Sequence, residues 1–275
     1  MRPLSSRPIL RHTPSMTDDA APAPSALQRA SDGRLGAGLS FFDPRLWREA
    51  ATLQAAPAYA VIGVCIVGSI LGVLHAMRGG PPWDWGLSAQ ALVEGRWYAL
   101  ISHMFEHAGH WHLFLNSTFL LGVTPVVMAR FGVGPAGWLR FALLFLVSGL
   151  LGAGLYLALH LDSAVPMVGA SGAICGVWGA ASRIEPEGEI VPIRSEQVWA
   201  QVKAFAKMNL ILFGLLFVLA RIAGGPGGLA WEAHLGGFLF GLFAVPWLAP
   251  REFPSPGGRG GLSARTRSGR PCAKG

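Results

Sequence analysis

Ser171 lies in a run of small residues, Gly169-Ala170-Ser171-Gly172-Ala173-Ile174-Cys175-Gly176, at the start of an apolar stretch. A serine hydroxyl becomes a nucleophile when a base takes its proton. The base should titrate near neutral pH, which points to histidine. His234, in Ala233-His234-Leu235-Gly236-Gly237, is the candidate, because ionisable groups inside apolar segments are rare and mostly functional. Acyl transfer also needs hydrogen-bond donors for the developing oxyanion. His112 and Asn116 are spaced i, i+4 and share one helix face, and either side chain can donate. The Ser171 amide, at a helix N-terminus, has no intrahelical partner and can add a third donor.

Each residue also has a purely structural reading. Ser171 could line a close helix contact, His234 could bond a neighbouring helix, and Asn116 could be interhelical glue. No acid is placed to complete a triad. Glu232 precedes His234 by two residues and faces elsewhere on the helix, and Asp162 falls in a loop. The chemistry expected is therefore that of a Ser171–His234 dyad. His103, His107, His110 and His112 invite a metal, but no glutamate stands beside a His-x-x-x-His pair in the zinc-protease manner. His103 and His107 are expected to satisfy backbone groups of a re-entrant loop, with no metal and no cofactor.

These residues must be carried by membrane helices. The chain has 275 residues, 52% of them hydrophobic and only 13% charged, with mean hydropathy +0.43. Soluble domains carry about 25% charged residues. The expectation is an all-α bundle of six transmembrane helices, over residues 58–77, 111–128, 138–160, 168–182, 207–223 and 233–248. The fourth is short, as suits a helix that starts below the membrane surface. Glycines at Gly172, Gly176 and Gly179 on one helix, and at Gly237 and Gly241 on another, would let the two backbones approach closely.

Arg130, Arg140, Arg183, Arg194 and Lys203 fall in loops on the same side as both basic ends of the chain. The positive-inside rule puts that side, and both termini, in the cytoplasm. Helices two, four and six then all run inward, so His112, Asn116, Ser171 and His234 reach a similar depth in the outer leaflet. The net charge of +7 suits this orientation better than nucleic-acid binding. Residues 1–50 read as a disordered cytoplasmic arm without a secretory signal, and residues 251–275 as a disordered basic tail. The link Gly224–Gly228 reads as flexible. Cys65, Cys175 and Cys272 show no paired spacing, so no disulfide is expected. Arginine strongly outnumbers lysine, a bias of GC-rich bacteria, and the expected location is a bacterial inner membrane.

With these pieces assembled, the chain resembles the rhomboid family of intramembrane serine proteases. The matching segments are His107-Ala108-Gly109-His110-Trp111-His112-Leu113-Phe114-Leu115-Asn116, then Gly169-Ala170-Ser171-Gly172, then Ala233-His234 through Gly237 and Gly241. They occur in the right order, within about residues 55–250. The resemblance implies a six-span bundle, Ser171 as nucleophile, His234 as general base, and an oxyanion hole of His112, Asn116 and the Ser171 amide. It implies single-span membrane proteins as substrates, cut within or near their membrane segment, with the lipid bilayer as surroundings. A non-catalytic relative that binds transmembrane helices is the alternative.

Two positions depart from the family pattern. Ala99 follows Trp97-Tyr98 where many members carry an arginine after tryptophan. Cys175 stands where many carry a tyrosine that stacks on the catalytic histidine, so His234 is expected either to be held less firmly or to be held by an aromatic such as Trp178.

Overall fold

The computed structural model describes residues 51–185, 188–222 and 229–250. The expected arm, tail, Gly224–Gly228 link and Cys272 lie outside the described residues. A 3-10 turn, Leu53–Ala55, leads into α1 (Ala56–Met77). Two short helices follow, α2 (Ala89–Val93) and α3 (Ala99–Ser102). Then come α4 (His110–Phe131), α5 (Pro135–Leu159), α6 (Ser171–Ala181), α7 (Glu196–Ile222) and α8 (Trp231–Leu248). Proline at the first position of α5 supplies a helical φ where no donor is needed. The described residues form no strand; two isolated bridges, Leu87 with Met167 and Ile184 with Ile190, pin loops together.

The fold is all-helical, as expected. Among the described residues, four helices are long and apolar enough to cross a membrane: the Leu53–Met77 segment, α4, α5 and α7. The expected fourth and sixth spans are not among them. α6 has 11 residues, about 17 Å at the usual rise, well short of a hydrocarbon core about 30 Å thick. α8 has 18 residues but carries Glu232 and His234 in its first turn, which lowers its hydropathy. The two helices bearing the candidate dyad are thus the short, polar-tipped ones. α8 packs most extensively against α6 and α5, and α6 also meets α4. Only 11% of the most apolar window of α1 and of α7 is buried, against 50% for α4. Val64, Val67, Ile70 and Val73 of α1, and Leu210, Phe217 and Val218 of α7, are exposed, which suits lipid contact.

The glycine seam forms as the spacing predicts. A Cβ on Gly237 would run into the Gly172 carbonyl oxygen, and one on Gly241 into that of Gly176. A Cβ on Gly179 would meet the Phe238 carbonyl oxygen, and one on Gly172 would lie 3.1 Å from that of Ala233. Backbone therefore meets backbone at these glycines of the α6–α8 contact.

The loop between α3 and α4 closes over the start of α6. His103 Nδ1 donates to the Ala99 carbonyl at 2.8 Å, and the Gly169 amide donates to the His103 carbonyl at 2.7 Å. The Ala170 amide donates to His107 Nε2 at 3.5 Å, leaving Nδ1 as the protonated nitrogen, 3.5 Å from Ser69 Oγ. Both histidines thus satisfy local polar groups. Glu106 is buried beside them, against Gly72 of α1, where a Cβ would lie 2.5 Å from its Oε1. Burial holds the imidazoles of His103 and His107 down to about 4, and the His112 ring, 5.0 Å from that of His107, acts in the same direction on it.

Two outcomes follow from this packing. Gly241→Val should lower the thermal unfolding midpoint in detergent, by at least the roughly 1–3 kcal/mol usual for overpacking, because backbone cannot move aside. Gly214→Ala, which meets open space on α7, should change it little; equal losses in both would contradict a tight seam. Stability should also fall between pH 7 and pH 5.5. The unfolded imidazoles take up protons there, while folded His103 and His107, with depressed affinities, stay neutral. Buried Glu106, whose carboxyl is pushed up by burial, opposes this trend, so the test is made in Glu106→Gln, where a flat unfolding midpoint over that range would refute neutral His103 and His107.

Candidate active site

Ser171 is the first residue of α6, with Ala170 as its N-cap. The preceding Gly169 has φ +114°, and a Cβ there would lie 2.6 Å from His112 Cε1. Glycine at 169 thus both permits the turn into α6 and makes room for the His112 ring. Ser171 is partly accessible, whereas His234, in the first turn of α8, is buried. The Ser171 hydroxyl lies 2.7 Å from His234 Nε2, across 63 residues of sequence. That is within the range for a nucleophile and its base.

His112 and Asn116 occupy the first two turns of α4. The Ala108 amide donates to His112 Nδ1 at 3.4 Å, which puts the proton of a neutral ring on Nε2. A Cβ on Gly169 would lie 2.8 Å from that Nε2, so it sits at the chain turn leading to Ser171. Asn116 Nδ2 donates to the His112 carbonyl at 2.8 Å and keeps a second proton for another acceptor. The glycines at 172, 237 and 241 lie in the seam that brings the two helices together.

The support of His234 differs from expectation. Trp178 packs edge-on against Phe119, Phe205 and Phe238, and its indole donates to Gln201 Oε1 at 2.9 Å. The second ring nitrogen of His234 instead meets Asn209 Oδ1 at 2.6 Å. Sequence reasoning missed Asn209. Its signal was available: it is the one amide or hydroxyl side chain between Lys207 and Arg221, in an otherwise apolar run of α7. Glu232 turns away from the dyad, with Oε1 3.8 Å from His160 Nε2.

Comparison with known proteins agrees with this architecture. The Rhomboid domain profile matches residues 94–251, more than half of the chain, from just before α3 to the end of α8. Rhomboid protease GluP of Bacillus subtilis (strain 168) is 28% identical over 154 residues, covering 56% of this chain and 26% of that protein. RHOMBOID-like protein 5 of Arabidopsis thaliana is 29% identical over 157 residues, covering 57% and 46% respectively. The chain thus spans less than half the length of either relative. A polytopic helical bundle with this match across α3 to α8 is a multi-pass membrane protein, and the chain belongs to the rhomboid family.

Proposed function

We propose that this protein is an intramembrane serine endopeptidase that cleaves single-span membrane proteins within or near their transmembrane segment. The observation that carries the reading is the 2.7 Å approach of Ser171 Oγ to His234 Nε2 between two separate helices. The name of the Bacillus relative, a rhomboid protease, agrees with it.

In this mechanism His234 Nε2 takes the Ser171 proton as Oγ attacks the scissile carbonyl carbon. The oxyanion that forms is held by His112 Nε2–H, the free proton of Asn116 Nδ2, and the Ser171 amide at the positive end of α6. The protonated His234 then gives its proton to the leaving amine, and an acyl-serine remains. Water, deprotonated by the same imidazole, attacks the ester and frees Ser171. Partial exposure of Ser171 beside a buried base is what such a site needs: an approach for substrate, and shelter for the proton transfer. A helical substrate must unwind locally first, because its backbone groups are paired internally.

The same proposal includes six membrane crossings, with α6 and α8 completing the four long spans. α6 is enclosed by its neighbours, while α8 buries Glu232 and His234 and turns Leu239, Phe243 and Trp247 outward, so neither needs the length or hydropathy of an isolated span. Arg130 and Arg140 stand within the adjoining ends of α4 and α5 rather than in a loop, and Arg183 and Arg194 lie between α6 and α7; together they favour both termini in the cytoplasm of a bacterium, with the dyad toward the outer face.

The test uses the full chain in proteoliposomes with a fluorophosphonate probe and a panel of single-span substrates. Wild type should label and cleave. Ser171→Ala should do neither, and His234→Ala should lose at least about 1000-fold in cleavage rate. His112→Ala and Asn116→Ala should each lower kcat by about 100-fold with less effect on KM. Absence of both labelling and cleavage in wild type would favour a non-catalytic binder of transmembrane helices.

A further inference from the structure

The buried side of His234 carries an ordered chain of bonds that the proposed dyad does not account for. Asn209, on α7, is 8% exposed and sits 25 residues before the histidine. Its Nδ2 donates to the Phe205 carbonyl at 2.9 Å, one turn back on its own helix. A carbonyl can only accept, so the amide nitrogen must face Phe205 and the amide oxygen must face His234. That oxygen, 2.6 Å from Nδ1, can in turn only accept. Nδ1 must then carry the proton of a neutral ring, and Nε2 must carry the lone pair. Nε2 is the nitrogen 2.7 Å from Ser171 Oγ.

We propose that Asn209 is a positioning residue that fixes His234 in the one tautomer able to take the Ser171 proton, and holds the imidazolium once it forms. The opposite tautomer would aim an N–H at the hydroxyl and leave no base. An orienting hydrogen-bond partner on the far ring nitrogen is the general requirement of histidine bases, and a carboxamide can supply it as well as a carboxylate. The constellation is then a relay of Phe205 carbonyl, Asn209 amide, His234 imidazole and Ser171 hydroxyl, drawn from three helices. Aromatic packing steadies the far end: Phe205 stacks on Phe238 of α8 at 4.2 Å between ring centres. His112 of α4 is the neighbouring titratable group whose charge bears on the His234 ring.

The inference rests on the Ser171–His234 reading above, and the experiment separates the two. Wild type, Ser171→Ala, Asn209→Leu and Asn209→Asp are compared in proteoliposomes for probe labelling, kcat, KM and the pH profile of kcat. Asn209→Leu should lower kcat about 10- to 100-fold and leave KM within about twofold. Asn209→Asp should restore most of the rate and move the acid limb of the profile to higher pH, because a carboxylate stabilises the imidazolium more strongly. If Asn209→Leu keeps the wild-type rate, or both variants lose activity equally with an unshifted profile, the positioning role is refuted and the bond is structural. Labelling of wild type that survives in Ser171→Ala would instead refute the dyad itself.

A measurement independent of activity completes the test. In 15N-histidine NMR, the signals lost in His234→Ala should show Nδ1 protonated and Nε2 unprotonated in wild type at neutral pH. In Asn209→Leu they should shift toward a mixed tautomer. An Nε2-protonated ring in wild type would overturn the proposal whether or not the variants fold.

Discussion

Backbone contact between α6 and α8 is the constraint on which the rest depends. Serine is among the shortest polar side chains and histidine is of middling length, so they can meet at 2.7 Å only if their helices lie unusually close. The seam at Gly172, Gly176 and Gly179 against Gly237 and Gly241 meets that requirement, because the two backbones touch where these residues carry no side chain. Lipid offers no hydrophobic gain for burying one apolar helix against another, so close van der Waals packing must hold the pair together. The same glycines that allow the helices to associate therefore also set the separation of hydroxyl and imidazole.

The polar start of α8, at Glu232 and His234, is buried away from lipid. α6 is shorter than a full hydrocarbon core, and α8 begins with a carboxylate and an imidazole, both costly in hydrocarbon. The longer helices take up the exposed positions. α1 and α7 turn apolar faces outward, and α4 and α5 pack against the central pair. The loop from α3 to α4 closes the upper end, where His107 accepts the amide of Ala170, the residue before Ser171. Two histidines thus adjoin the serine for different reasons: His107 caps its helix, and His112 presents a donor at the turn that precedes it.

Much of this was legible in the sequence, and the failures have physical causes. The apolar runs and the small-residue periodicity led directly to an all-helical bundle and to the paired glycine faces, because both depend on local composition. The residues at 112, 116, 171 and 234 stood out as polar groups in apolar runs. Among the described residues only four of the six expected spans have the length and hydropathy of an isolated crossing, since α6 is short, as its sequence indicates, and α8 carries Glu232 and His234 in its first turn. Of the two expectations for His234, looser support or an aromatic such as Trp178, the second is not met, because Trp178 is occupied by Phe119, Phe205, Phe238 and Gln201. Asn209 was overlooked because it lies between Lys207 and a run of leucines. Nothing in one dimension shows that its helix brings it beside His234.

The two bonds of the histidine are therefore anchored very differently. The one to Ser171 crosses a rigid backbone seam at the centre of the bundle. The one to Asn209 comes from α7, where Val198, Phe205 and Asn209 itself are the only buried residues among 27. Distance to the hydroxyl is set by the most tightly packed pair of helices, while proton placement on the ring is set by one of the two least buried. On the proposed role of Asn209, a small displacement of α7 would leave Ser171 and His234 in contact and still deprive the base of its tautomer. Geometry and protonation are then separable properties of one imidazole, and the proton-accepting state depends on α7 being seated against α8 through Phe205 and Phe238.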